Sequence, residues 1–406
     1  MSAEAGTNAN LKSIQWLRGI AALQVIVYHA AVNMVKYDSH TAASVALHVT
    51  PWGVDLFFVI SGFIMVFITK GHSGSMNDTL CFWERRILRI VPLYWLVTSL
   101  KIVAALAAPG LTDYKPTLDH ALASYFFIPW TDAYGRAMPP SYLGWTLNYE
   151  MYFYLVLGLI ILLPHRLFIW TLGIWAIGSV ALGLVSDISS PVLKLMTGPN
   201  LLEFLLGAVI GWFWLKGRVL AVRLAVPLLV LGAVLMPGAD ILDIRTHNAV
   251  KFGIPSALIV ASVLSIEFHK VFDFNRRAPL LLGDASYSLY LTNPFSLTAM
   301  IVLFSVHDMY THVPPGLLIV IEIVVAAAGG IAVYHLLERP LHQWARTVSV
   351  VRRRREPPAP VETAVSASGR PAVGRSPSSP ASQGDLAPAG TAGAARWAAR
   401  TRCPAD

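Results

Sequence analysis

An arginine and a histidine eleven residues apart, Arg18 and His29, share the apolar run from Leu17 to Val35, where a lipid-facing helix would carry neither. At ~3.6 residues per turn that spacing is almost a whole number of turns, so both side chains project from one helix face, roughly 16 Å apart along the axis. Ionisable groups inside a membrane span are costly and face a protein interior or a watery cavity, which marks this face as a functional site. An imidazole placed there suits a general base acting on a hydroxyl, and a guanidinium can stabilise a developing oxyanion.

Other polar groups interrupt the apolar background. Asp55, in Gly53-Val54-Asp55-Leu56-Phe57, either complements the dipole at a helix start or orients the imidazole, and Ser61 with Gly62 permits close helix packing. Arg85, Arg86 and Arg89 fall within five residues, and Arg86 and Arg89 share a helix face. They either anchor a span on its positive side or grip a phosphate-bearing ligand approached from the cytoplasm. Glu150 ends the string Gly144-Trp145-Thr146-Leu147-Asn148-Tyr149-Glu150 and is its span's one carboxylate. It is either a structural hydrogen-bonding group or the partner of an arginine or of the imidazole, which it would orient as carboxylates do in hydrolase triads. Glu338-Arg339-Pro340 reads as a helix-end pair before a proline stop, and Pro294 should free backbone carbonyls that Ser or Thr side chains compensate. No His, Cys or Asp spacing resembles a metal site.

The elements that must hold these groups are membrane spans. Of the 406 residues, 55% are hydrophobic and only 13% charged, far from a soluble domain. Ten segments approach the roughly 20 residues needed to cross a bilayer. They cover residues 14–34, 52–69, 88–107, 144–163, 167–185, 200–216, 221–236, 249–267, 284–305 and 316–337, the seventh being short. Ala121 to Trp130 is apolar but too short to span, and belongs at the interface or in a re-entrant turn. The fold expected is therefore all-α, a polytopic bundle of about ten transmembrane helices over residues 1–345, followed by a disordered cytoplasmic tail over 346–406 rich in Pro, Ala, Ser, Gly and Thr.

With the N-terminus inside, 17 of the loop Lys and Arg residues fall on the inner side and 6 on the outer, which supports an even span count and two cytoplasmic termini. The net charge of +8 follows from this bias and calls for a membrane, not nucleic acid, as its partner. The first span serves as a signal anchor, and Cys81 and Cys403, both cytoplasmic in this topology, make no disulfide framework. On this topology His29, Asp55 and Glu150 occupy the outer halves of their spans, while Arg18, Arg86 and Arg89 occupy the inner halves. Two polar sites on opposite sides, joined by a path, are expected.

Taken together, these motifs resemble acyltransferase family 3 of membrane O-acyltransferases, over roughly residues 11 to 345. The match runs through Arg18 with His29, Gly53 to Phe63, Arg86 with Arg89 before Pro92, the Glu150 segment, Ser286 to Leu291, and Glu338-Arg339-Pro340. The Gly144 to Glu150 string is most similar to the exopolysaccharide-production, ExoZ-type, members. The resemblance implies transfer of an acyl group, commonly acetyl, from acetyl-CoA or another acyl-CoA to a hydroxyl of a bacterial surface glycan or its lipid-linked precursor, at the bacterial inner membrane and with no bound cofactor. It makes His29 the essential histidine, Arg18 its partner motif residue, and Arg86 with Arg89 the second arginine motif; on chemical grounds Glu150 or Asp55 would orient the imidazole, and Arg18, Arg86, Arg89 and Asn148 are expected at the donor. His29 would act as general base or carry the acyl group in a covalent relay. One departure stands out: members often have a histidine where this chain has Asn293 beside Pro294. The competing readings are a transporter or flippase for a glycan or lipid-linked intermediate, against which no two related halves are evident, and a scaffold without chemistry, which leaves His29 unexplained.

Overall fold

The apolar segments of the sequence fold as helices, and no strand occurs among the described residues of the computed structural model, which are 11–35, 50–72, 74–109, 114–241 and 249–348. In chain order they begin with α1 (Lys12–Val35), α2 (Gly53–Ile68), α3 (Met76–Ala107), α4 (Leu118–Tyr125) and α5 (Gly144–Ile160). There follow α6 (His165–Val185), α7 (Pro191–Met196), α8 (Leu201–Leu215), α9 (Val222–Ile241) and α10 (Ile254–Phe268). The last are α11 (Arg277–Asp284), α12 (Ser286–Val306), α13 (Met309–His312), α14 (Pro315–Val333) and α15 (Arg339–Val348). Described residues belong to the compact unit Met1–Ser349; the second unit, Val350–Asp406, lies outside them, as do His48, Cys403 and the tail.

Each of the ten expected spans coincides with a helix. Among the described residues, 7 helices are long and apolar enough to cross a membrane. Gly53–Ile68 and Val222–Pro237 are shorter apolar helices, and α5 has 17 residues. The protein is a polytopic, all-α membrane bundle. Ala121 to Trp130 forms the end of the short α4 and the turn after it, with Leu122 and Phe126 exposed.

Two helices depart from their expected ends. Helix α3 starts at Met76 because Ser75 Oγ accepts from Asp78 N–H at 3.2 Å while the Asp78 carboxylate accepts from Ser75 N–H at 3.5 Å, a reciprocal cap. Arg86 and Arg89 are thereby well inside a 32-residue helix. At the other end of the chain, Glu338-Arg339-Pro340 does not close a helix. A π-helical turn, Tyr334–Glu338, passes into α15, whose second residue is Pro340.

Carboxylates on one helix cap the starts of others. Glu338 is buried and accepts from the Ser288 N–H at 3.1 Å and from its hydroxyl, satisfying one amide in the first turn of α12. Glu267, at the end of α10, does the same for Lys12 and Ser13 at the start of α1. Inside α12, Pro294 frees the Tyr290 carbonyl, and the compensating group is the Asn293 side chain, whose Nδ2 donates to Tyr290 O at 2.7 Å and Leu289 O at 3.1 Å.

The bundle is held around α2, which packs along α8 and also against α1 and α10. Glycines set the closest approach: a Cβ on Gly207 would lie 1.9 Å from Val59 O, and one on Gly62 would lie 2.0 Å from Phe204 O. Small residues at such crossings let backbones meet where lipid supplies no hydrophobic drive between helices. Phe58, Phe153 and Phe204 stack in the core beside this crossing.

Candidate active site

Five helices, α1, α2, α3, α5 and α12, surround a cavity. Arg18 enters from α1, Arg86 and Arg89 from α3, Glu150 from α5, and Ser286, Tyr287 and Tyr290 from α12. The guanidiniums and the carboxylate, far apart in sequence, thus share one space. Glu150 Oε1 accepts from Ser61 Oγ at 3.1 Å and from the Tyr154 hydroxyl one helical turn away. Arg18 Nη1 donates to Gln15 Oε1 at 3.2 Å, and the charges of Arg89 and Glu150 both act on it across the cavity. Tyr287 fixes α12 against α3 by donating to Ile90 O at 2.8 Å.

The cavity is long. Its lining runs along α2 from Met65 to Val54, eleven residues, which at ~1.5 Å per residue is about 16 Å. Arg86 and Arg89 are at one end, Thr146 and Tyr290 toward the other.

His29 does not line this cavity. Its ring lies 5.1 Å, edge to face, from those of Tyr28 and Tyr142, and no hydrogen-bond partner meets it among the described residues. Gly53 packs on Ala21, Gln24 and Val25 of α1, so the Val54 end of the cavity lies level with Val25. His29 is four residues, or about one turn and 6 Å, farther along α1. Between them, Val25, Leu143 and Tyr290 form a small apolar plug, and the Tyr290 hydroxyl is fixed by Thr146 Oγ1 at 2.8 Å and Leu143 O at 3.0 Å.

The expected outer grouping of His29, Asp55 and Glu150 does not assemble. Glu150 belongs to the arginine cavity, and Asp55 turns toward α8, where its buried carboxyl lies beside that of Glu203. Asn148 is buried on α5 without lining the cavity, and its Oδ1 meets no donor among the described residues. The reason is geometric: position along a span fixes depth, whereas the direction a side chain faces depends on which helices pack around it.

Sequence reasoning passed over several groups. Glu203 is fully buried beside Asp55, with Oε1 accepting from Asn200 Nδ2 at 3.3 Å. Glu322 is fully buried in α14, with neither oxygen hydrogen-bonded among the described residues. Lys101, in α3, holds its ammonium 4.6 Å from the ring centroid of Phe295. The signal was available in each case, an ionisable residue within an apolar run.

A family model described as an acyltransferase domain matches residues 11–335. The chain belongs to acyltransferase family 3. This acyltransferase is 38% identical over 321 residues to the exopolysaccharide production protein ExoZ of Rhizobium meliloti, covering 74% of this chain and 93% of that protein. It is 27% identical over 399 residues to the O-acetyltransferase OatA of Staphylococcus aureus, covering 84% of this chain but only 61% of that protein. The peptidoglycan O-acetyltransferase OatA of Listeria monocytogenes matches at 27% over 157 residues, 36% of this chain and 23% of that protein. No solved structure matches. Family membership makes transfer, not transport, the chemistry this acyltransferase has to perform.

Proposed function

We propose that the protein transfers an acyl group, acetyl in the simplest case, from acyl-CoA held on the cytoplasmic side to a hydroxyl of a bacterial exopolysaccharide or its lipid-linked precursor. The observation that carries this reading is the convergence of Arg18, Arg86, Arg89 and Glu150 on one elongated cavity. Three guanidiniums offer the charged donors that phosphates take. A donor anchored there extends its thioester along the cavity toward Tyr290. The acceptor hydroxyl meets it from the His29 side, so the Tyr290 plug gives way during transfer.

His29 takes the hydroxyl proton as the oxygen attacks the acyl carbonyl; the C–O bond forms, the C–S bond breaks, and the thiolate leaves with a proton returned by the imidazolium. A relay, in which the imidazole carries the acyl group between the two bond exchanges, uses the same two ends. Glu150, held by Ser61 and Tyr154, orients the arginines in this scheme, and Asp55 serves the α2–α8 contact with Glu203. The exopolysaccharide acceptor rests on the name of ExoZ, and acetyl as the acyl group on that of OatA. Residence in the bacterial inner membrane with both termini cytoplasmic rests on the asymmetry of Lys and Arg between the loops.

Two variants separate the ends of the path. His29→Ala is expected to abolish glycan O-acylation, read as acetyl content by NMR, while the membrane protein still binds labelled acetyl-CoA. Arg86→Ala/Arg89→Ala should weaken that binding by about 100-fold or more, the loss of charge-assisted hydrogen bonds to phosphate. Normal acetyl content in His29→Ala would overturn the assignment.

A further inference from the structure

The C-terminal ends of α2 and α8 and the connection between α5 and α6 enclose a second cavity, which shares no lining residue with the arginine cavity. Lys70, His72, His165 and Lys216 stand around it, with Phe168 and Trp212 in its floor, and no carboxylate lines it among the described residues. The Lys216 ammonium lies 3.6 Å from the Trp212 ring centroid, which draws the charge over the apolar floor. Lys70, His165 and Lys216 are exposed, whereas Phe168 is buried. Along α6 the cavity borders a strip of apolar side chains that face outward, Leu167, Trp170 and Ile174, the surface a bilayer would cover.

We infer that this cavity binds an anionic phospholipid, with the headgroup phosphate between Lys70 and Lys216 and an acyl chain on the Phe168 and Trp212 floor. Anchoring of spans on their positive side explains cations in these loops, but not their meeting from three separate chain regions around an apolar hollow. Basic pockets between membrane helices on the cytoplasmic side take anionic lipid headgroups for this reason. A soluble phosphate has no use for the floor, and a zwitterionic lipid brings its own cation. The inference stands independently of the transfer reaction and does not use its residues.

The test uses the full chain in detergent, titrated with phosphatidylglycerol, phosphatidylcholine or inorganic phosphate, with the thermal midpoint and lipids retained in native mass spectra as readouts. Phosphatidylglycerol is expected to raise the midpoint and be retained, phosphatidylcholine and phosphate not. Lys70→Gln/Lys216→Gln should weaken the phosphatidylglycerol response about 30-fold, the effect of two cations near an anionic headgroup. Lys70→Arg/Lys216→Arg should keep it, as should Arg276→Gln/Arg277→Gln, exposed cations that line neither cavity. Equal responses to both lipids, a response reproduced by phosphate alone, or equal weakening in the Arg276/Arg277 variant would overturn the site.

Discussion

Two hydroxyls converge on one oxygen of Glu150, and that arrangement makes the residue testable apart from its charge. Tyr154 also packs its ring edge-on to Phe82, so Tyr154→Phe removes a donor and keeps the packing. A hydrogen bond to a charged group contributes ~1.5–3 kcal/mol. Transfer in Tyr154→Phe should therefore fall about tenfold or more, while the protein stays folded with a modestly lower thermal midpoint. A full rate would mean that Glu150 needs no fixed orientation. Arg18, Arg86 and Arg89 were legible in the sequence because arginines inside or bordering apolar runs have few structural uses. Asp55 looked equally functional and is not beside His29, since a carboxylate in a first helical turn looks the same whether it faces a cavity or a neighbouring acid.

At the scale of elements, the α2–α8 crossing depends on the absence of side-chain atoms. Gly207→Ala would put a Cβ 1.9 Å from a backbone oxygen that cannot rotate away, so the two helices must separate. Overpacking of this kind costs ~1–3 kcal/mol. The expected outcome is a lower thermal midpoint together with weaker donor binding, because α2 lines the arginine cavity for most of its length. An unchanged midpoint would show that the crossing tolerates a wider spacing. Span positions were readable from apolar length alone. The continuation of the chain past Glu338 was not, because the partner of that carboxylate, Ser288, is fifty residues away and only packing brings them together.

For the whole molecule, sidedness is the property most open to test. In a background without native cysteines, Arg277→Cys should label only after the membrane is permeabilised, and His312→Cys should label in intact spheroplasts. Both positions are exposed, so accessibility to a membrane-impermeant maleimide reports the side directly. The opposite pattern would invert the topology and place the arginine end of the cavity outside.

The sequence by itself determined that the chain is an all-α membrane bundle, which segments are helical, and that Arg18 and His29 share a face about three turns apart, because length, hydropathy and helical period are local properties. Tertiary structure alone decided that Arg18, Arg86, Arg89 and Glu150 surround one cavity and that the cavity stops about one turn short of His29. It also decided that Asp55 faces Glu203. Those outcomes depend on how each helix is rotated and which neighbour it meets, and both are set by side-chain packing between segments distant in the chain.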